Sequence, residues 1–295
     1  MKVVIIGSDG FVGVSLIDYV KKQDYPVDII SIGKSFFADS VLKDEQDISA
    51  IYDEIKSIAG LSKKPVYCVN LLSAANVDFC EANPDISRFV NFVFPKSLFR
   101  RLSNIENVRI ISFSSNAVYG GKNAPYDELA DFNPVNHYGD QKARLDDYVR
   151  NELDHGIIMR PTTLFGTPLL SCRSNPVFDL IGKARLKAKI KLVTDLTVNF
   201  GYVTDLCKAI IELIKENEET GEYNFGGPHS LSRFDLGNLI YEYYGAESTL
   251  IESCLLSDFN PTVNRPNDTT FVCDRFDNRF SFLRTSIKSY LQSQI

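Results

Sequence analysis

The sequence is poor in residues that carry several common kinds of chemistry. Its 295 residues include six cysteines, three histidines and no tryptophan. No cysteines form a Cys-x-x-Cys pair, so their spacing indicates neither a disulfide framework nor a zinc site. We therefore expect no bound metal, no Ser-His-Asp or Cys-His catalytic group, and cysteines that are small buried residues of a reducing compartment.

Two further absences concern membranes and nucleic acids. The longest apolar runs fall far short of the roughly 18 residues that a membrane-spanning helix needs, and the N-terminal run lacks the flanks of a signal peptide. The 32 Lys and Arg against 38 Asp and Glu give a net charge of −6. Binding to nucleic acid or to an anionic membrane would need clustered positive charge. We therefore expect a soluble, cytoplasmic protein that binds neither.

The order of apolar runs predicts an α/β fold. Runs typical of buried strands lie at residues 2–6, 27–32, 66–72, 108–113 and 156–159. Helical patterns lie between them, at about 10–22, 47–58, 84–102 and 138–153. Strands that alternate with helices of this length favour right-handed crossovers and a parallel sheet covered on both faces. We predict a Rossmann-type doubly wound parallel sheet.

Beyond residue 160 the alternation weakens. We predict a strand at 190–193, a helix at 204–215, a strand at 222–225, a helix at 234–244 and a terminal helix from about 277. The expected division is a nucleotide-binding domain at 1–165, with returning segments at about 200–225. Residues 166–199 and 226–295 would form a small, discontinuous C-terminal substrate lobe. A cleft is expected between the two, at the C-terminal ends of the strands.

A glycine-rich turn follows the first strand and opens the first helix. Its glycines have the spacing GxxGxxG, which suits a tight turn, a close approach of the backbone to a pyrophosphate and close packing of helix on strand. The N–H groups at the start of the helix would face the anion. The residues expected to contact a dinucleotide here are Gly7, Asp9, Gly10, Phe11, Val12 and Gly13.

The end of the second strand favours NADP(H) over NAD(H). It has no carboxylate to bind a ribose 2′-hydroxyl, and instead it carries Lys34 and Ser35, which suit a 2′-phosphate. Lys34 could equally be an ordinary surface lysine. Asp47, with Ile48 at the start of the next helix, is a candidate to bind the adenine, and helix capping is the alternative role for Asp47.

Tyr138 and Lys142 stand four residues apart on a predicted helix, so both project from one face. The spacing alone is weak evidence, because Tyr52 and Lys56 share it. The surroundings differ: the strand at 108–113 leads into Ser114-Ser115, which places a hydroxyl at a C-terminal strand end near the expected cofactor site. An ammonium beside a tyrosine would lower the pKa of the phenol and make it a usable acid or base.

Further short motifs that match the same known family lie along the whole chain, at residues 47–48, 69–78, 80–81, 84, 90–91, 160–166, 202–205 and 265–266. Together they resemble the extended short-chain dehydrogenases/reductases, in particular dTDP-4-dehydrorhamnose reductases and related nucleotide-sugar reductases and epimerases. The resemblance implies that Tyr138 protonates a carbonyl oxygen as hydride arrives from NADPH, that Ser115 hydrogen-bonds this oxygen and that Lys142 holds the nicotinamide ribose. Ser114 is the competing assignment for the hydroxyl.

The resemblance also implies further binding residues. Leu72, Ser73 and Ala74 match a segment whose backbone lines the cofactor, although small residues packed at a strand end would look the same. The residues that match substrate positions are Asn76, Val77, Asn116, Tyr119, Thr163, Asn199 and Arg265. Arg265 could instead form a structural salt bridge. Glu81 and Asn91 are expected to support the site without reacting.

The function implied is NADPH-dependent reduction of a nucleotide-activated 4-keto-6-deoxy sugar. Two alternatives stay open: an epimerase that keeps NAD(P) tightly bound, and a non-catalytic NADP-binding subunit. Asn116-Ala117 departs from the usual reductase pattern towards epimerases and GDP-sugar reductases. A homodimer is expected through the helices at 84–102 and 138–153.

Overall fold

The computed structural model describes residues 1–33, 44–169, 174–259 and 261–294. The first part alternates strands with helices, as predicted: β1 (Lys2–Ile6), α1 (Phe11–Lys22), β2 (Asp28–Ile32), α2 (Glu45–Gly60), β3 (Val66–Asn70), α3 (Val77–Ala82), α4 (Pro84–Arg88), α5 (Phe94–Leu102), β4 (Val108–Phe113), α6 (His137–Glu152) and β5 (Ile157–Pro161). The second part contains β6 (Leu164–Phe165), α7 (Pro176–Arg185), β7 (Ile190–Val193), β8 (Thr197–Val198), β9 (Gly201–Tyr202), α8 (Val203–Lys215), β10 (Gly221–Phe225), β11 (Leu231–Ser232), α9 (Arg233–Tyr243), β12 (Ile251–Cys254), α10 (Asp274–Arg279) and α11 (Ile287–Gln292).

The central sheet has six parallel strands in the order β10-β5-β4-β3-β1-β2. The chain moves outward from β1 to β2 and then returns to place β3 on the other side of β1. The point between β1 and β3 is therefore a topological switch point, where ligands of open α/β sheets bind beyond the carboxyl ends of the strands. The predicted doubly wound parallel sheet is confirmed.

Apolar side chains of β1 alternate between the two faces of the sheet. Val3 and Ile5 enter a core that includes residues of α1 and α8, whereas Val4 and Ile6 enter a core formed with α2, α5 and α6. A strand buried on both faces needs such a continuous apolar run. Helices therefore cover the sheet on both sides.

The helix predicted at 84–102 is present over its whole length, but it changes type in its middle. A π-helical turn at Phe89–Val93 separates α4 from α5. Pro95, at the start of α5, has no N–H to donate to the carbonyl of Asn91 four residues earlier, and a wider turn accommodates this missing bond. The turn places Asn91 inside the protein, with 1% of its surface exposed.

The prediction of a single terminal helix from about residue 277 is wrong. The chain forms two short helices, α10 and α11, joined by an irregular stretch. Arg284 in this stretch donates to the carbonyl oxygens of Gly226 and Gly227, and the backbone N–H of Thr285 donates to Asp205. These tertiary contacts hold the connection away from helical geometry.

Two-stranded ladders join the remaining short strands, and α7, α9 and α11 share a third apolar core. The division of the chain into two domains stays a prediction. In the part of the chain that the structure describes, no helix is both long enough and apolar enough to cross a bilayer.

Candidate active site

The glycine-rich turn lies at the switch point, between β1 and the segment that follows β3. Gly7 has a φ of 86°, a left-handed conformation that favours glycine, and a Cβ atom there would lie 2.7 Å from the backbone nitrogen of Leu72. Gly10 precedes α1 in extended conformation. The opening residues Phe11, Val12 and Gly13 carry the N–H groups that have no acceptor within a helix. A narrow cradle bounded by a helix N-terminus suits a pyrophosphate.

The residues expected around the adenine ribose are only partly described. Lys34 and Ser35 lie outside the described residues. The carboxylate of Asp9 lies directly over Gly33, because a Cβ atom at Gly33 would be 2.5 Å from either oxygen. Asp9 therefore reaches from the glycine turn to the end of β2.

Asp47 and Ile48 have structural roles at the start of α2. Asp47 accepts from the backbone N–H of Asp44 in a capping box, at 3.4 Å. Ile48 is completely buried in the core under the sheet. The side chain of Ile48 thus cannot contact a cofactor, which leaves its backbone, and the capping role considered for Asp47 is present.

Tyr138, Lys142 and Ser115 come together at the carboxyl edge of the sheet. Asn136 caps α6 by accepting from the N–H of Gly139 at 2.9 Å. Gly139 allows the helix to lie against the segment after β4, because a Cβ atom there would be 2.2 Å from the carbonyl oxygen of Ala117. This contact brings the Tyr138 phenol within hydrogen-bonding reach of Ser115.

The two adjacent serines point in different directions. Ser114 donates to Asp146 at 2.6 Å in the interior, whereas Ser115 faces Tyr138. The geometry therefore favours Ser115 over Ser114 as the hydroxyl beside the tyrosine. The catalytic roles of these residues stay predictions.

Burial governs the protonation of Tyr138 and Lys142. It raises the pKa of the Tyr138 phenol, against which hydrogen bonds to Ser115 and Ser73 act. It lowers the pKa of Lys142 to about 8, although Asp146 and Cys80 act to raise it. The Lys142 ammonium donates to the carbonyl oxygen of Phe113 at 2.9 Å. Tyr138 is therefore a protonated phenol at neutral pH, as a proton donor must be.

A buried charge cluster lies next to Lys142 on α6, and it was not among the expected site residues. Arg160 and Asp146 are both fully buried, with 2.6 Å between Nε and a carboxylate oxygen. Arg160 also donates to Glu222 at 2.7 Å. One signal was present in the sequence: Asp146 lies four residues after Lys142 on α6 and thus on the same helix face.

The segment after β3 lines the crevice. Leu72 lies against Gly7, and Ser73 and Ala74 contact the side chain of Asn91. The Ser73 hydroxyl also reaches Tyr138. The segment thus joins the glycine turn to the tyrosine, and Asn91 supports it, as expected.

Several residues expected to bind substrate already have structural partners. Tyr119 is completely buried, stacks on Tyr126 at 4.3 Å and donates to the carbonyl of Asp127, so the structure assigns it to the core. Asn199 is likewise occupied, since its amide bonds both backbone groups of Phe271.

The other expected substrate residues keep at least part of their surface exposed. Asn76 caps α3 ahead of Val77, and the carbonyl of Thr163 accepts from Gly201. Asn116 donates to the Thr269 hydroxyl at 2.6 Å. Arg265 forms a salt bridge of 2.8 Å with Asp78 on α3, which is the structural alternative considered for it.

Comparisons with known proteins show the family to which the chain belongs. The family model described as the RmlD substrate binding domain matches residues 1–295. The Haloferax volcanii protein named Probable low-salt glycan biosynthesis reductase Agl14 is 25% identical over 206 residues, which are 67% of this chain and 66% of that protein. The Spore coat polysaccharide biosynthesis protein SpsK of Bacillus subtilis is 23% identical over 301 residues, covering 99% of this chain and 98% of that protein.

Among solved structures, a dTDP-4-dehydrorhamnose reductase from Bacillus anthracis in complex with NADP superposes with a TM-score of 0.83. The match covers 99% of this chain and 97% of that chain at 21% identity. At this identity, the likeness shows the fold.

Proposed function

Because the chain belongs to the family described as the RmlD substrate binding domain, we propose that it is an NADPH-dependent reductase of a nucleotide-activated 4-keto-6-deoxy sugar. In this proposal it is an NAD(P)-dependent oxidoreductase of the extended short-chain dehydrogenase/reductase type, with NADP(H) preferred over NAD(H). The observation that carries the proposal is the meeting of Ser115, Tyr138 and Lys142 beside the glycine turn.

The residues present fit a dinucleotide. The turn at Gly7 and the N-terminus of α1 suit the pyrophosphate, and the segment 72–74 lines the crevice. In this proposal Lys142 holds the nicotinamide ribose. When bound, the reduced cofactor supplies a hydride for the keto carbon.

The chain supplies the proton and the hydrogen bonds. Tyr138 donates its proton to the keto oxygen, so that hydride and proton together turn the ketone into an alcohol. Ser115 donates a hydrogen bond to the same oxygen and stabilises the negative charge that develops on it. The ammonium of Lys142 stabilises the phenolate that remains on Tyr138.

The proposal is tested with keto sugars linked to dTDP, GDP, UDP and CDP, each assayed with NADPH and with NADH. With the keto sugar of one nucleotide, we expect the protein to consume NADPH faster than NADH. The loss of nicotinamide absorbance measures this consumption. Tyr138→Phe should reduce the rate by about 10²–10⁴-fold. Tyr52→Phe is the matched control, because Tyr52 and Lys56 have the same helical spacing on α2. Consumption of neither cofactor with any substrate would overturn the reductase proposal.

One observation favours a second candidate function. Asn116 directly follows the reactive hydroxyl, a pattern closer to epimerases, and its amide is held by Thr269 at the cleft wall. An epimerase would interconvert two nucleotide sugars without net consumption of cofactor.

The remaining alternative is a non-catalytic NADP-binding subunit. Such a subunit would retain its cellular activity after Tyr138→Phe.

A further inference from the structure

The phenol of Tyr138 has two serine hydroxyls beside it. Ser115 comes from the end of β4, and Ser73 comes from the segment after β3. One hydroxyl is accounted for by the proposed reaction, since Ser115 is placed to hydrogen-bond the keto oxygen. The second has no assigned task there, because segment 72–74 was expected to act through its backbone.

Asn91 holds the Ser73 hydroxyl in place. The Ser73 hydroxyl donates to the side-chain oxygen of Asn91 at 3.0 Å. That same oxygen accepts the backbone N–H of Ala74 at 2.8 Å, and the Asn91 amide nitrogen donates to the Ala74 carbonyl at 3.1 Å. This pair of bonds to one backbone fixes which end of the Asn91 amide faces Ser73. Asn91 is itself almost completely buried in the π-helical turn.

The geometry leaves the Ser73 proton free to turn. A serine hydroxyl is one donor and two acceptors, and its proton rotates to suit its neighbours. While Tyr138 is protonated, the phenol can donate to Ser73 as Ser73 donates to Asn91. When Tyr138 has given its proton away, the Ser73 proton can turn to the phenolate oxygen. The Asn91 oxygen then still accepts from Ala74, so that no buried acceptor is left without a donor.

We propose that Ser73 is a positioning residue of the reaction, which acts through Tyr138 by donating a hydrogen bond to the phenolate formed when the proton leaves. Ser115 serves the substrate oxygen and Ser73 serves the tyrosine oxygen. The inference rests on the proposed function, in which Tyr138 is the proton donor. It follows from the contacts of Ser73 with Tyr138 on one side and with Asn91 on the other.

The first test needs no substrate, so its outcome does not depend on the proposed function. Protein labelled with ¹³C at the tyrosine Cζ position is titrated by NMR, and the Tyr138 signal is identified by its absence in Tyr138→Phe. Ser73→Ala should raise the pKa of Tyr138 and so lower its acid dissociation constant about tenfold, because the phenolate loses a hydrogen bond from Ser73. Ser73→Thr, which keeps the hydroxyl, should restore the original titration.

The second test uses turnover of the keto sugar. Ser73→Ala should lower kcat about tenfold, leave the KM for NADPH unchanged and move the alkaline limb of the kcat profile to higher pH. Ser112→Ala is the matched control, because Ser112 is a fully buried serine on β4 whose hydroxyl forms no hydrogen bond within the described residues. An unchanged Tyr138 titration in Ser73→Ala would overturn the inference. So would a loss of activity that appears only as a raised KM for NADPH.

Discussion

Lys142 on α6 and Arg160 on β5 are both buried cations, and the protein balances their charges differently. Arg160 is paired with Asp146 and Glu222. Burial alone would lower the pKa of Arg160. The pKa is nevertheless raised above its usual value by Asp146, Tyr119 and Glu222. Lys142 is equally buried, but within the described ranges no carboxylate forms an ion pair with it. Burial lowers its pKa to about 8.

The difference separates a charge that is paired inside the fold from one that is not. The cluster around Arg160 is compensated by direct ion pairs, so its charges stabilise the fold only as a set. Lys142 has no such ion pair within the described residues, and Asp146 offsets only part of the effect of burial on its pKa. We interpret this as a stability cost that keeps an ammonium available for the ribose and for Tyr138.

The largest expected effect comes from breaking the compensated cluster. Arg160→Met leaves Asp146 as a buried carboxylate without its cation, which should lower the free energy of unfolding by about 3–5 kcal/mol. Denaturant titration measures this. Arg144→Met is the control, and Arg144 lies on α6, the helix that carries Asp146. Arg144 pairs with Asp140 on the surface, so it should contribute less than about 1 kcal/mol to the free energy of unfolding. Equal losses in the two variants would contradict the comparison.

The next effect has the opposite sign. Lys142→Met removes an uncompensated buried ammonium, so the free energy of unfolding should increase by about 1–3 kcal/mol at neutral pH while reductase activity falls about 10²-fold or more. Lys56→Met, at the same helical spacing from a tyrosine, should change stability by less than about 0.5 kcal/mol. A destabilised Lys142→Met protein would show that Lys142 is compensated after all.

The smallest effect is the pH dependence of that gain. The folded pKa of Lys142, about 8, lies below the ordinary value of 10.5, so between these values the unfolded chain binds more protons than the native protein. The stability of the natural protein therefore rises with pH in this window. The advantage of Lys142→Met should be complete below about pH 8 and should disappear towards 10.5. A gain that persists above this window would have another cause.

The sequence predicted what local patterns determine. The parallel sheet follows from alternating apolar runs, and the proximity of Tyr138 to Lys142 follows from a four-residue spacing on one helix. Contacts between distant segments were not predictable in this way. The burial of Tyr119 depends on Tyr126 and the strand ends around it, and the amide of Asn199 is used by Phe271, 72 residues later. The spacing places Asp146 on the same face of α6 as Tyr138 and Lys142, but its partner Arg160 comes from the next strand, β5.

The central claim is that Tyr138 and Lys142 serve hydride reduction of a nucleotide keto sugar. It is tested most directly with NADPH that carries deuterium at the transferable position, followed by mass spectrometry of the product. The account predicts deuterium on the former keto carbon, with transfer slowed at least about 10²-fold in Tyr138→Phe and unchanged in Tyr52→Phe. Absence of deuterium from every product of the nucleotide panel, or equal transfer in the two variants, would contradict it.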